Sequence, residues 1–145
     1  MSSDLMAKAI NLLARREHSR FDLGRKLKRY TQDQGEIEQT LDALEARDFL
    51  SDKRFAEVFI RSRKERFGIQ RLRYELNQHQ IQSMVIESVL APLEQTELQR
   101  AIKVWQRKFG QYASDQREYA RQYRFLGQRG FRADVIRKVL SESTH

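Results

Sequence analysis

Leu76-Asn77-Gln78-His79-Gln80-Ile81-Gln82-Ser83-Met84-Val85-Ile86-Glu87-Ser88-Val89-Leu90 decides the architecture, because its apolar frame is written twice more in the chain. Leu76, Ile86 and Leu90 are matched by Leu27, Ile37 and Leu41 upstream and by Leu126, Ile136 and Leu140 downstream. The offsets are 49 and 50 residues, with the internal spacing unchanged. A self-similar unit of that length marks a tandem array.

Around this frame nearly every segment reads at helical period. Leu5, Ala9, Leu12 and Leu13 stripe a first helix running to about Arg16. Ser19 then caps a second, with Asp22 three residues on, and Leu23, Leu27 and Tyr30 form its stripe. Gly35 is expected to break the chain before Ile37, Leu41 and Leu44 make a third helix ending near Ala46. The pattern restarts at Ser51-Asp52, with Phe55, Val58, Phe59 and Ser62 expected on one face and Gly68 as the stop. Ile69, Leu72 and Leu76 stripe a fifth helix, and Met84, Val85, Ile86, Val89 and Leu90 belong to a sixth. Ala91-Pro92-Leu93 reads as the clearest break. Thr96 and Gln99 then match a capping box, and Leu98, Ile102, Trp105 and Phe109 line the next helix up to Gly110. Ser114-Asp115 opens an eighth with Tyr119, Tyr123 and Leu126 inward, and Gly130-Phe131 turns into a ninth carrying Val135, Ile136, Val139 and Leu140.

The expected fold is all-α: three tandem three-helix, helix-turn-helix-like repeats, stacked into an elongated, curved array. The repeats are placed at 1–50, 51–93 and 94–145, the last ending in a short disordered tail from Ser141 to His145. One small repeat would be marginal alone, so neighbours are expected to stack.

Composition narrows the function. The 145 residues include no cysteine, which removes disulfides, zinc–thiolate sites and thiol chemistry. One proline and six glycines argue against a β-sandwich or an α/β enzyme. No apolar run approaches the ~20 residues of a membrane span, and Met1 to Ala9 carries Asp4 and no signal-peptide core, so a cytoplasmic protein with no membrane partner is expected.

Chemistry-bearing patterns are scarce. His18, His79 and His145 show no metal-ligand spacing, and each reads as a capping or solvated side chain. Gly127-Gln128-Arg129-Gly130 is too short for a phosphate loop and reads as a helix end before buried Phe131. The carboxylates fall on polar faces beside Lys or Arg, as solvated surface does. No catalytic, metal or cofactor residues are expected, and no enzyme.

The basic residues carry the information. Lys plus Arg outnumber Asp plus Glu by 28 to 20, a net charge of +8 that attracts polyanions. Residues 1–50 are balanced, 9 against 9, whereas 51–93 hold 8 against 5 and 94–145 hold 11 against 6. Arg61, Arg63, Lys64, Arg66, Arg71 and Arg73 concentrate the excess in the second repeat. Arg117, Arg121 and Arg124 share one face in the third, with Arg129, Arg132, Arg137 and Lys138 close in sequence. Arginine forks onto phosphate or carboxylate and stacks on rings. Tyr74, Tyr112, Tyr119 and Tyr123 lie among these arginines, a composition suited to single-stranded nucleic acid.

Ser51-Asp52-Lys53-Arg54-Phe55-Ala56, Arg61-Ser62-Arg63 and Gly68-Ile69-Gln70-Arg71-Leu72-Arg73-Tyr74-Glu75-Leu76 resemble the central signature of the RecX family, regulators of the RecA recombinase. Leu12 to Arg20 resembles its opening motif, and Lys108-Phe109 with Arg124 to Phe131 resembles its closing ones. Ile69 stands where the family often has proline, Tyr30-Thr31-Gln32 where a glycine–aromatic pair is frequent, and Gln80 where glycine is usual, which bears on turn geometry. The resemblance implies three three-helix repeats. Its implied partner is the RecA filament on single-stranded DNA, bound in the groove by a monomer that also touches double-stranded DNA weakly. The implied effect is to curb filament growth, ATP hydrolysis and strand exchange. The nine cations of the two clusters are the expected contacts to filament carboxylates or DNA phosphates. The alternative is a helix-turn-helix protein acting on nucleic acid alone; against it, 37–46 and 83–90 are poor in Arg, Asn and Gln.

Overall fold

The structure, a computed structural model, describes residues 3–141 and is all-helical over them. Nine α-helices follow one another among the described residues: α1 (Ser3–Arg15), α2 (Arg20–Leu27), α3 (Gln34–Ala46), α4 (Asp52–Arg63), α5 (Ile69–Gln78), α6 (Ser83–Leu90), α7 (Glu97–Lys108), α8 (Gln116–Gln128) and α9 (Ala133–Val139). Grouped in threes, they are the three repeats. Of the nine frame positions, eight are buried and Leu140 is partly so. Each such Leu or Ile contributes roughly 1.5–3 kcal/mol relative to an exposed side chain. The end of the expected tail, 142–145, lies outside the described residues.

The chain forms two compact units, Met1–Phe59 with Leu76–Ile86, and Ile60–Glu75 with Glu87–His145. The core of the first joins Leu5 and Ala9 of α1 to Leu23 and Leu27 of α2, to Ile37, Leu41 and Leu44 of α3, and to Leu50. In the second, Ala101, Val104 and Trp105 of α7 meet Leu126, Phe131, and Val135, Ile136 and Val139 of α9.

Local signals place most boundaries. Ser19 accepts from the Asp22 N–H, Ser51 from that of Arg54 and Asp115 from that of Glu118, each satisfying a free donor of the first turn. Gly110 and Gly130 take the left-handed φ of helix-ending residues, +71° and +93°.

Other expectations need correction. Gly35 does not break the chain: Asp33 caps α3 and Gly35 sits in its first turn. Ala91–Thr96 is a continuous 3₁₀ turn, not a break, and Thr96 makes no capping box. Arriving from that turn with ψ near 0°, Thr96 donates its hydroxyl to the Leu93 carbonyl and accepts from Arg100 Nε. The inward face of α4 is centred on Ala56 and Ile60 rather than on Phe55, Val58, Phe59 and Ser62. Phe55 and Phe59 instead form a triangle of rings with His79, which meets them edge-on at 4.9 and 5.4 Å between centroids, while His79 Nδ1 meets Asp22 Oδ2 at 2.6 Å. Arg63 ends α4, before Gly68. Met84 is exposed. Buried Gln122 takes the inward place on α8 where Tyr119 was expected, since its Oε1 accepts from Trp105 Nε1 and its Nε2 donates to the Gln111 carbonyl. His18 is buried, not solvated. Its Nδ1 donates to the Arg16 carbonyl and its Nε2 accepts from Lys26, and burial lowers its pKa, so the ring is held neutral.

One backbone contact organises the second unit. The Gly68 N–H donates to the Arg129 carbonyl at 2.7 Å and the Gln70 N–H to that of Gly130 at 3.1 Å. The α4–α5 turn and the α8–α9 turn therefore touch main chain to main chain. A Cβ on Gly68 would lie 2.4 Å from the Gly130 oxygen, and one on Gly130 would lie 2.3 Å from Arg71 Cβ.

Gly130→Ala is thus expected to lower stability by roughly 2–4 kcal/mol through strain and overpacking. Gly127→Ala, inside α8 with Ile136 Cδ1 3.9 Å away, is expected to be neutral or to stabilise by about 0.5–1 kcal/mol. Urea midpoints of the two variants would check this, and equal losses would refute it. Gln80, a non-glycine at φ +59°, gives the converse case: Gln80→Gly should raise stability by about 1 kcal/mol, seen as a higher melting temperature.

Candidate functional site

Burial of an acid and a base on the first turn of α7 fixes the turn that carries the second repeat's cations. Glu97 and Arg100 are both buried, contrary to the expectation of solvated charges. Glu97 Oε2 accepts from the Ile69 N–H, placing an anion on the first donor of α5. Arg100 donates to the carbonyls of Lys64 at 2.8 Å, Phe67 at 3.2 Å and Leu93 at 3.1 Å, placing a cation beyond the C-terminus of α4. Arg129 Nη1 donates to the Arg66 carbonyl. Carbonyls and amides left over by two helix ends are thereby paired without water. Burial pushes the Glu97 carboxyl above its usual 4.5, opposed by the Ile69 N–H, Arg132 and Arg100. Arg132 Nε lies 3.7 Å from Glu97 Oε1, an ionic contact with no hydrogen bond.

On the outside of this turn, guanidinium groups and rings alternate. Arg71 lies 4.3 Å from the Phe67 centroid, and Arg66 and Arg129 each lie 5.3 Å from it. Arg129 also covers Phe125 at 4.9 Å, with Lys108 at 5.5 Å. Phe125 meets Phe109 edge to face at 5.4 Å, and Arg121 covers Phe109 at 5.0 Å. Each contact adds about 0.5–1 kcal/mol at an exposed site and holds its cation in place. Carboxylates reach this strip twice: Glu75 pairs with Arg71 at 3.1 Å and Glu118 with Arg121 at 2.8 Å. Arg66, Lys108 and Arg129 make no ion pair among the described residues.

Of the nine cations singled out in the sequence, the structure brings Arg66, Arg71 and Arg121 onto the strip. Arg117 and Arg124 join Arg121 along a groove of about 670 Å³ between the end of α7 and the start of α8, whose lining includes Lys108, Phe109 and Gln122. Arg61 is exposed on the last turn of α4, Arg63 approaches Glu75 at 3.9 Å, and Lys64 lies just beyond the helix. Arg73 is committed elsewhere, forked onto Glu87 at 2.8 and 3.0 Å, which raises its pKa and lowers that of Glu87. Sequence reasoning missed Glu97, Arg100 and Phe67, and it named Lys108 and Phe125 as parts of the closing motif without assigning them to the site. An acid and a base three apart on a helix read as surface, and no periodicity links Phe67 to Arg129. In the first unit α3 is acidic: Glu38, Asp42 and Glu45 converge on Arg20 at 2.6–2.9 Å.

The chain matches the models of three RecX domains: the first three-helix domain over residues 6–44, the second over 51–90 and the third over 95–140. It is 46% identical over 141 residues to the regulatory protein RecX of Leptothrix cholodnii, covering 97% of this chain and 90% of that one. With RecX of Herminiimonas arsenicoxydans it shares 46% over 136 residues, 94% of this chain and 90% of the other. The crystal structure of RecX from Lactobacillus salivarius superposes with a TM-score of 0.85 over 95% of this chain and 93% of that one, at 19% identity, which shows a common fold.

The raised pKa of Glu97 sets a direction for pH dependence. Folding favours its protonated form, so its contribution is whole below the usual 4.5 and is lost as pH climbs through the raised folded value. Relative to Glu97→Gln, which stays uncharged, the wild type is expected to lose stability over that window and to level off above it. Glu97→Ala also orphans the Ile69 N–H and should cost about 1–3 kcal/mol more than Glu97→Gln. Urea titrations at stepped pH would show both, and a wild type gaining on the glutamine variant as pH rises would refute the assignment.

Proposed function

The chain belongs to the RecX family of regulatory proteins, and we propose that it regulates the RecA recombinase by binding the filament that recombinase forms on single-stranded DNA. Bound in the filament groove as a cytoplasmic monomer, it curbs filament extension, ATP hydrolysis and strand exchange, and so modulates recombination and DNA repair in the SOS response. It acts as a ligand, without a cofactor and not as an enzyme, through repeats bounded at 1–50, 51–93 and 94–145. Arg61, Arg63, Lys64, Arg66, Arg71, Arg73, Arg117, Arg121 and Arg124 are its contacts to filament carboxylates and DNA phosphates.

The observation that carries this reading is the match to all three family domains, in order, along almost the whole chain. The charge distribution supports it: a cationic strip fixed on rings in the second unit suits a polyanionic assembly. Among the described residues there is no group of acids and histidines able to hold a metal ion, and no helix is long and apolar enough to cross a membrane. A helix-turn-helix protein reading duplex DNA on its own is disfavoured by α3, whose Glu38, Asp42 and Glu45 would meet phosphates.

The test is recombinase ATP hydrolysis on single-stranded DNA in excess, with this protein far below the recombinase concentration. Loss of hydrolysis is expected, because too little protein is present to mask the DNA. Unchanged hydrolysis, with DNA binding intact in the same buffer, would overturn the reading and leave DNA as the primary partner.

A further inference from the structure

We propose that the second unit carries a track for the phosphodiester backbone of a single strand, one that grips phosphates and leaves bases unread. The inference deepens the reading above and rests on it for its biological setting. It adds Lys108 and Arg129 to the contact residues and states what they recognise.

Three observations lead there. First, every ring of the strip is already covered. Phe67 is flanked by Arg71, Arg66 and Arg129, Phe125 by Arg129, Lys108 and Phe109, and Phe109 by Arg121. Stacking of bases requires free aromatic faces, so these rings serve to hold cations and offer no platform, and Tyr112, the other ring lining the adjoining groove, packs against Trp105 at 5.1 Å. What remains outward is N–H donors in fixed forks, the complement of phosphate oxygens.

Second, the strip runs into the α7–α8 groove, sharing Lys108, Phe109 and Arg121 with it, and Arg117 and Arg124 line the same groove with no ion pair among the described residues. At about 670 Å³ the groove has the size of a small-ligand site. A single strand, with one backbone and unpaired bases, is the slimmer and more pliant polyanion and so suits a groove of this size better than a duplex does.

Third, the charges are not spent internally. Glu75 and Glu118 pair with Arg71 and Arg121, and Asp115 also lines the groove, while Arg66, Lys108, Arg117, Arg124 and Arg129 make no ion pair among the described residues, so cations outnumber acids along the track.

The experiment uses the full chain with no recombinase present, so its outcome is independent of filament inhibition. Fluorescence anisotropy would follow binding of a labelled 20-mer of thymidylate, an abasic phosphodiester strand of equal length, and a duplex, over a salt series. The expected result is that the abasic strand binds within about threefold of the thymidylate strand and the duplex at least about tenfold more weakly. The Lys108→Ser, Arg117→Ser, Arg124→Ser variant, whose side chains are exposed, should melt as the wild type does. It should lose roughly two from the slope of log K against log salt, at about 0.7 per phosphate contact on a single strand. Polyglutamate should compete poorly. Loss of abasic binding would mean bases are stacked. An unchanged slope would place the contact elsewhere, and competition by polyglutamate equal to that by thymidylate would make the surface a site for acidic protein. Any of the three overturns the proposal while leaving the recombinase assay free to succeed.

Discussion

Two helix ends facing a buried acid and a buried base form the constraint on which the second unit depends. The α4–α5 turn leaves carbonyls at Lys64, Arg66 and Phe67 and amides at Gly68, Ile69 and Gln70 without partners inside their own helices. Each is met: the carbonyls by Arg100 and Arg129, the amides by the Arg129 carbonyl, Glu97 and the Gly130 carbonyl. Charges this deeply buried are costly unless fully engaged. Here both act on helix termini of matching polarity, which offsets part of the cost; the remainder shows in the pKa of the Glu97 carboxyl, raised by burial, and in that of the Arg100 guanidinium, lowered by it. Breaking one side leaves the other charge buried and unpaired, which makes the joint cooperative.

The same joint sets the candidate surface. Arg71 follows Gly68 by three residues on α5, and Arg129 directly precedes Gly130. Main-chain contact between the two glycines brings both arginines to one phenyl ring, Phe67, at 4.3 and 5.3 Å. Backbone geometry sets where these side chains start, and the ring contacts with the bonds from Arg71 to the Gln128 carbonyl and from Arg129 to the Arg66 carbonyl hold the guanidinium groups. A surface prepared in this way has less rotamer freedom to lose on meeting a polyanion. Arg73, only two residues from Arg71, points into a separate pair with Glu87 and takes no part in the strip.

The repeat was legible because burial obeys one period three times over. Leu27, Leu76 and Leu126 read as equivalent and are all fully buried. Ser19, Asp115 and Gly110 were legible because a cap acts on atoms two or three residues away. What escaped was decided at longer range. Thr96 and Gln99 match a capping box in sequence, but the preceding 3₁₀ turn delivers the chain in another geometry. On α4 Phe55 and Phe59 turn to His79, some twenty residues away, with which they form a triangle of rings, while Ala56 and Ile60 take the buried positions. Gln122 reads as surface until Trp105 is seen to need an acceptor. The cationic clusters were legible by count, whereas the partner of each arginine was not. Arg66, Arg71 and Arg121 share a strip with Lys108 and Arg129 through ring contacts that leave no periodic trace.

Amide hydrogen exchange at Gly68, Ile69 and Gln70 measures the joint most directly, since their three donors are the ones the second unit supplies with acceptors. The account requires protection comparable to Leu72 and Leu76 inside α5, and its collapse in Gly130→Ala. Exchange at the rate of an open surface turn in the wild type would contradict it, and with it the fixed placement of Arg71 and Arg129.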